Sequence, residues 1–271
     1  MRLLRCTALL LAALLATLPA SAQVKRKKIL AIGEVKGYQH DSVSHALASF
    51  EHWGKETGLW DTYIRTDSQL LTKKKLEGNA KNLDYFDAVI FYTTGELPLD
   101  DEQKASLLSF VREDGKGFIG VHSAADTLYK WPEYGELLGG WFDEHPWGTF
   151  QAPIIVEDKN HPTTAHLPKE MVIQDEIYQF KNYSRENLRV LMRLDEKKLD
   201  LKNPRVHRKD GDFAVTWVKN YGKGRVFYST LGHREETYDM PEIKKMYIEA
   251  VKWVLGMTEG DVKPHPKPAT D

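Results

Sequence analysis

"GFIGVHSAADT", residues 117–127, opens with five small or apolar residues and then changes character at His122. An apolar run without polar alternation is the pattern of a strand covered on both faces, as in a parallel sheet flanked by helices. The sequence upstream supports this reading. "DAVIFYTT" (87–94) is a second continuous apolar run, and "LDDEQKASLLSFVREDG" (99–115) between the two has acidic residues at its start and Gly115 as a stop, as a connecting helix should. Further back, "KILAIGEV" (28–35), the helical "SHALASFEHWGKETGL" (44–59) and "DTYIRT" (61–66) repeat the order of strand, helix and strand. "KLEGNAKNLDYF" (75–86) reads as a helical or irregular connection. The expected fold is therefore α/β: a flavodoxin-like, mostly parallel sheet with helices on both faces, built from right-handed βαβ units.

Downstream of residue 127 the pattern changes. "GTFQAPIIVED" (148–158), "EMVIQDEIYQF" (170–180), "RVLMRL" (189–194) and "DFAVTWVKNYGKGRVFYSTLG" (212–232) are strand-like, and Tyr221-Gly222-Lys223-Gly224 makes a hairpin turn. These predict an antiparallel β extension in the C-terminal half. "MPEIKKMYIEAVKWVLG" (240–256) predicts a closing helix with Ile243, Tyr247, Val251 and Val254 as its core stripe.

Composition bounds the rest. The chain has 271 residues, of which 41% are apolar, enough for one large core. Arg2 and Arg5, an apolar run and Ala20-Ser21-Ala22 mark residues 1–22 as a signal peptide cut after Ala22, so a secreted or periplasmic protein is expected. Residues 23–27 are a basic lead-in, 28–257 a single α/β domain, and 258–271 a Pro-rich tail expected to be disordered. The one cysteine, Cys6, lies in the leader, which leaves the mature chain no disulfide, thiolate ligand or cysteine nucleophile. Without the leader, 36 basic residues face 39 acidic ones, a net charge of −3 that gives no case for nucleic acid as a partner. No later stretch is long and apolar enough to span a membrane. A homo-oligomer is compatible with these features.

In a parallel sheet, ligand sites gather beyond the carboxyl ends of the strands. Four histidines fall in such loops: His40, His122, His145 and His233. Neutral imidazole is both a common metal ligand and the usual acid or base near pH 7, so the cluster points to a divalent metal such as zinc or to proton transfer alone. No nucleotide cofactor is expected. Asp126 follows His122 closely, and the pair Asp175-Glu176 interrupts an apolar strand, which makes Glu176 the leading carboxylate and Asp126 a second. Tyr38, Trp147 and Tyr178 lie in the same loops, and their aromatic faces suit sugar rings. Ser123 is a further candidate for substrate contact, but it lacks the G-x-S-x-G spacing of an activated nucleophile. His45, His52, His161, His166, His207 and His265 read as surface residues.

The stretches "GYQHDSV", "GVHSAADT", "YGELLGGWFDEHPW", "DEIYQF" and "YGKGRVFYSTLGHREETY", in this order, resemble the ThuA-like family named for trehalose utilisation. The resemblance implies a class I glutamine amidotransferase-like fold. In such folds the turn after the central strand carries a nucleophilic cysteine; here it reads "GVHSA", so thiolate chemistry is excluded. The resemblance further implies a sugar or keto-sugar substrate and coupling to a sugar 3-dehydrogenase that makes 3-keto-glycosides, with cleavage of lyase or hydrolase type, or isomerisation. On that basis His122 and Glu176 would exchange protons, assisted by Asp126. His40, His145 and His233, with His122, would bind a metal or the keto oxygen, and Tyr38, Trp147, Tyr178 and Ser123 would line the sugar site. The alternative is a non-catalytic carbohydrate-binding or accessory protein.

Overall fold

A computed structural model describes residues 25–78 and 80–268. The leader, residues 1–22, lies outside the described residues. Strands β1 (Lys27–Ile32), β2 (Trp60–Arg65), β3 (Ala88–Phe91) and β4 (Gly117–Val121) alternate with helices α1 (Ser42–Thr57) and α2 (Asp101–Arg112). The chain continues through α3 (Pro132–Leu138), β5 (Trp141–Glu144), β6 (Thr149–Val156), β7 (Glu170–Glu176), β8 (Gln179–Lys181) and β9 (Arg189–Leu194). It closes with β10 (Ala214–Tyr221), β11 (Gly224–Ser229), α4 (Glu235–Asp239) and α5 (Pro241–Val254). Nine strands form one sheet in the order β2-β1-β3-β4-β11-β10-β9-β6-β7. From β2 to β11 the neighbours are parallel, in the 2-1-3-4-5 order of flavodoxin-like sheets. From β11 to β7 they are antiparallel. The mostly parallel α/β architecture with an antiparallel extension is thus the one the sequence predicts.

Local chemistry accounts for the elements. Asp100 caps α2 in a reciprocal box with Gln103, and α1 stops at Gly58, whose φ of 70° is left-handed. Every residue of β3 and β4 is buried, because helices cover both faces. One core packs Phe50 and Trp53 of α1 with Tyr247 and Trp253 of α5. The opposite core packs Leu107 and Phe110 of α2 with Tyr134 and Leu137 of α3. The predicted α5 stripe of Ile243, Tyr247, Val251 and Val254 is buried throughout.

The described residues of the connection 75–86 are irregular apart from a single 3₁₀ turn at Leu83–Tyr85, one of the two alternatives expected. Two expectations need correction. First, "EMVIQDEIYQF" is not one strand. β7 ends at Glu176, and β8 pairs antiparallel with β5 in a separate two-stranded sheet. Second, the described part of the tail, 258–268, is held in place. Arg225 donates to the Thr258 carbonyl at 2.8 Å, Arg189 to Asp261 and the Lys263 carbonyl at 2.9 Å, and Lys267 to Glu196 at 2.6 Å. Basic side chains on β9 and β11 and a lysine in the tail supply fixed partners that a composition argument does not weigh.

The antiparallel half also curls. In a flat sheet β7 would lie about 19 Å from β11, four strand spacings away. Yet the Asp175 carboxylate in β7 accepts from the backbone N–H of Gly232, just past β11, at 2.7 Å. Sheet coiling therefore brings the end of β7 over the carboxyl edge of the parallel strands.

Candidate active site

The residues at that edge arrive on separate elements. His40 lies in the loop after β1, His122 directly after β4 and His233 after β11, while Glu176 comes from the curled end of β7. The sequence change at His122 has a structural cause. Its backbone φ is 43°, a left-handed conformation costing a non-glycine residue on the order of 1–3 kcal/mol. Tyr228 offsets this by donating its hydroxyl to the His122 carbonyl at 2.8 Å, and Tyr134 does the same for Ala124 at 2.7 Å. Ser123, Ala124 and Ala125 are wholly buried in the 3₁₀ turn that follows, where only short side chains fit.

The His122 imidazole is fixed in one tautomer. Nδ1 lies 2.6 Å from the Thr230 carbonyl, which can only accept, so Nδ1 carries the proton. The lone pair on Nε2 points into the cluster. There it accepts from the Tyr178 hydroxyl at 2.8 Å and lies 3.3 Å from His233 Nδ1 and 3.6 Å from a Glu176 oxygen. His233 Nδ1 is also 3.3 Å from that oxygen. The His40 ring packs edge-on to His122 and His233, with centroids 4.8 and 5.3 Å away, and its buried Nδ1 has no hydrogen-bond partner among the described residues.

Burial sets the charge states. It lowers His40 to about 4, helped by neighbouring His233, and it holds His122 far below the usual histidine range, helped by His40. Burial pushes Glu176 up, but the hydrogen bond with His233 and the surrounding imidazoles outweigh it, so the carboxylate stays ionised. The same bond to Glu176 raises His233. The result is two neutral imidazoles, His40 and His122, beside an anion whose hydrogen bond favours the protonated His233 ring; a divalent cation binding there would displace that proton and complete a donor set of three imidazoles and one carboxylate.

The spacing fits as well. Bonds of 2.0–2.2 Å in a tetrahedral zinc site separate the ligand atoms by about 3.4 Å. The ligand atoms of His40, His122, Glu176 and His233 all lie within 4.8 Å of one another. His145 is not in this group, contrary to the sequence expectation, and Glu176 takes its place. The reason is that the end of β5 sets His145 on the outer side of Glu176, with Nδ1 3.4 Å from Glu176 Oε1 and 3.2 Å from an Arg205 nitrogen.

A cavity of about 340 Å³ opens beside the cluster, lined by Tyr38, His40, Asp126, Phe142, His145, Glu176, Tyr178 and His233. Burial raises the Asp126 carboxyl, an effect partly offset by the Tyr129 hydroxyl that donates to it at 2.5 Å. Tyr38 stands on the rim, 65% exposed, with its ring 4.8 Å from His40. His122 does not line the cavity; it is completely buried behind the other ligand atoms, a poor position for exchanging protons with a substrate. Trp147 and Ser123 also lie elsewhere. Trp147 donates to the Asp200 carbonyl at 3.3 Å and packs on Phe150 and Phe213, while the Ser123 hydroxyl faces Thr94 at 3.2 Å. A larger cleft of about 610 Å³, lined by residues such as Asn182, Asn187 and Lys219, contains none of these candidates. Sequence reading missed Arg205, Tyr129 and Thr230. Arg205 sits in a polar loop sixty residues after His145 and carries no local signal.

A family model described as ThuA, trehalose utilisation, matches residues 28–254. Among solved structures, a ThuA-like protein from Bacteroides uniformis superimposes with a TM-score of 0.68 at 24% identity, covering 88% of this chain and 95% of that one. A ThuA-like protein from Parabacteroides merdae gives a TM-score of 0.62 at 18% identity, covering 91% and 94%. At these identities the likeness is one of fold. No match is found among curated proteins.

Proposed function

The chain belongs to the ThuA, trehalose-utilisation family, and from that premise we propose that it is an exported enzyme of carbohydrate utilisation that cleaves 3-keto-glycosides. The observation that carries the proposal is the convergence of His40, His122, His233 and Glu176 beside a cavity of about 340 Å³ at the carboxyl edge of the parallel strands. A ketone at C3 acidifies the hydrogen on C2. A base can therefore take that proton and leave an enolate, and the glycosidic oxygen on C1 departs by β-elimination once it is protonated. The chemistry needs a base, an acid and something to hold the enolate charge.

The four converging residues would hold a divalent metal, which when bound supplies Lewis-acid stabilisation of the enolate oxygen. The Thr230 carbonyl orients His122 toward that position. Proton transfer then falls to Asp126 and His145, the carboxyl and imidazole groups on the cavity wall outside the donor set. Asp126 suits the role because burial raises its carboxyl above the ordinary value, so it holds a proton more readily than an exposed aspartate. His145 Nδ1 lies between an Arg205 nitrogen at 3.2 Å and Glu176 Oε1 at 3.4 Å, which holds the ring at the cavity wall. Tyr38 on the rim offers a face for a sugar ring. A sugar 3-dehydrogenase would supply the substrate.

The test is incubation of the purified mature chain with a panel of 3-keto-disaccharides, followed by mass spectrometry before and after chelation. Cleavage that disappears with the metal and returns with its replacement is the expected outcome. Binding of a glycoside without any product points instead to a carbohydrate-binding protein.

A further inference from the structure

We propose that Asp175 is a positioning residue that locks the His233 loop to the Glu176 strand and so sets the spacing of the metal ligands. This rests on the reading of His233 and Glu176 as members of one donor set. Asp175 is fully buried, without a cationic side chain bonded to it among the described residues, and its two oxygens accept four hydrogen bonds. Oδ2 takes the backbone N–H of Gly232 at 2.7 Å and the Thr237 hydroxyl at 3.0 Å. Oδ1 takes the N–H of Glu176 at 2.9 Å and that of Arg234 at 3.3 Å.

The partners matter more than their number. Gly232 and Arg234 flank His233 on either side, Thr237 lies on α4 just beyond, and Glu176 is the neighbouring strand residue. One carboxylate thus clamps both sides of the His233 peptide to the end of β7. The two elements are four strands apart in the sheet, so ladder hydrogen bonds do not connect them. Ser42, Tyr92 and Tyr238 donate to the Gly232 carbonyl and the Tyr178 N–H donates to Thr230 Oγ1, but among the described residues Asp175 alone accepts from the N–H groups on both sides of His233. A carboxylate is costly to bury unless its oxygens are hydrogen-bonded, and the four bonds that offset the cost here are the ones that join the two segments. Asparagine cannot replace it: the amide nitrogen would face one pair of donors with a donor of its own.

Two measurements test this. The first is Co(II) titration of metal-free protein, followed by visible absorption. Asp175→Asn should weaken Co(II) binding about 10- to 100-fold, the usual effect of losing an outer partner of a metal ligand. Thr237→Val removes one of the four donors and should weaken it in the same direction by less. The second is the ¹H–¹⁵N imidazole spectrum of metal-free protein, in which the His233 signals should move in both variants. Co(II) affinity and His233 signals like those of the unaltered protein in the folded variants would overturn the proposal. If Asp175→Asn does not fold, Thr237→Val decides. If the unaltered protein takes no Co(II), the metal reading fails, and the His233 signals still decide whether Asp175 is the clamp.

Discussion

His122 shows how much one residue can say about a site and where it stops. The abrupt end of an apolar strand on a histidine marks a strand terminus in a parallel sheet, and the structure places the ring at the carboxyl edge, with Nδ1 committed to the Thr230 carbonyl. Its role is less legible. Complete burial makes it a ligand candidate rather than a proton carrier, and burial at a loop depends on contacts from β7 and β11 that spacing does not reveal. His40 is the most direct residue-scale test, because its Nδ1 is a buried polar atom with no partner among the described residues. His40→Ala should weaken metal affinity by more than the 10- to 100-fold typical of an outer partner, and so leave the purified protein depleted of metal. Elemental analysis after dialysis against a weak chelator reads this directly. His161 makes the opposite point. It reads as a surface residue ahead of Pro162, but it is buried against Trp253, with centroids 5.2 Å apart, and burial lowers it from 6.5 to about 4. The folded ring stays neutral while the unfolded one takes up a proton below 6.5. Its contribution is therefore intact above that pH and is lost as pH falls toward 4, by about 1.4 kcal/mol per unit. Urea unfolding at pH 7, 6 and 5 should give a shallower loss of stability in His161→Leu, and equal slopes would contradict the assignment. His40 and His122 act in the same direction, so the difference between the two proteins is the readout.

At the scale of elements, the parallel half is legible because each strand is a continuous apolar run between loops, and β1 to β4 fall where those runs lie. The β7–β8 break is not legible. Apolar and polar residues continue through Glu176, Ile177 and Tyr178 with no glycine or proline to mark a turn, and the departure is imposed by the pairing of β8 with β5. That break is nonetheless what aims Glu176 and Tyr178 at the cavity. The loop from β11 to α4 is equally demanding. Gly232 has a φ of 121°, and a Cβ there would stand 2.0 Å from the Tyr238 hydroxyl oxygen. Gly232→Ala should therefore destabilise the fold by about 1–3 kcal/mol or more. Because the strained peptide adjoins His233, the variant should also bind metal more weakly. Calorimetric unfolding read beside Co(II) titration checks both effects. A variant with unaltered melting temperature and affinity would show that this loop adapts freely.

Across the whole molecule, the site exists because the antiparallel half folds back over the parallel one. A flat continuation of the sheet would carry Glu176 about 19 Å from β11; the curl places it 3.3 Å from His233. Runs and spacings predict the number and kind of strands, and the ordered set of motifs points to the family that the comparison finds over residues 28–254. They do not predict curvature, which comes from packing of Ile154, Ile173 and Ile177 into the same core as α5. The tail fails for a related reason: its anchors, Arg189 and Arg225, lie on strands distant in sequence. No helix among the described residues is long and apolar enough to cross a membrane. Under the proposed function, the curled sheet builds a site that removes the C2 hydrogen of a 3-keto-glycoside. ¹H NMR of a 3-keto-disaccharide in D₂O with metal-loaded protein measures that step. Loss of the C2–H signal together with release of the leaving sugar, both stopped by chelation, is the expected result. An intact C2–H signal and an uncleaved disaccharide would contradict it.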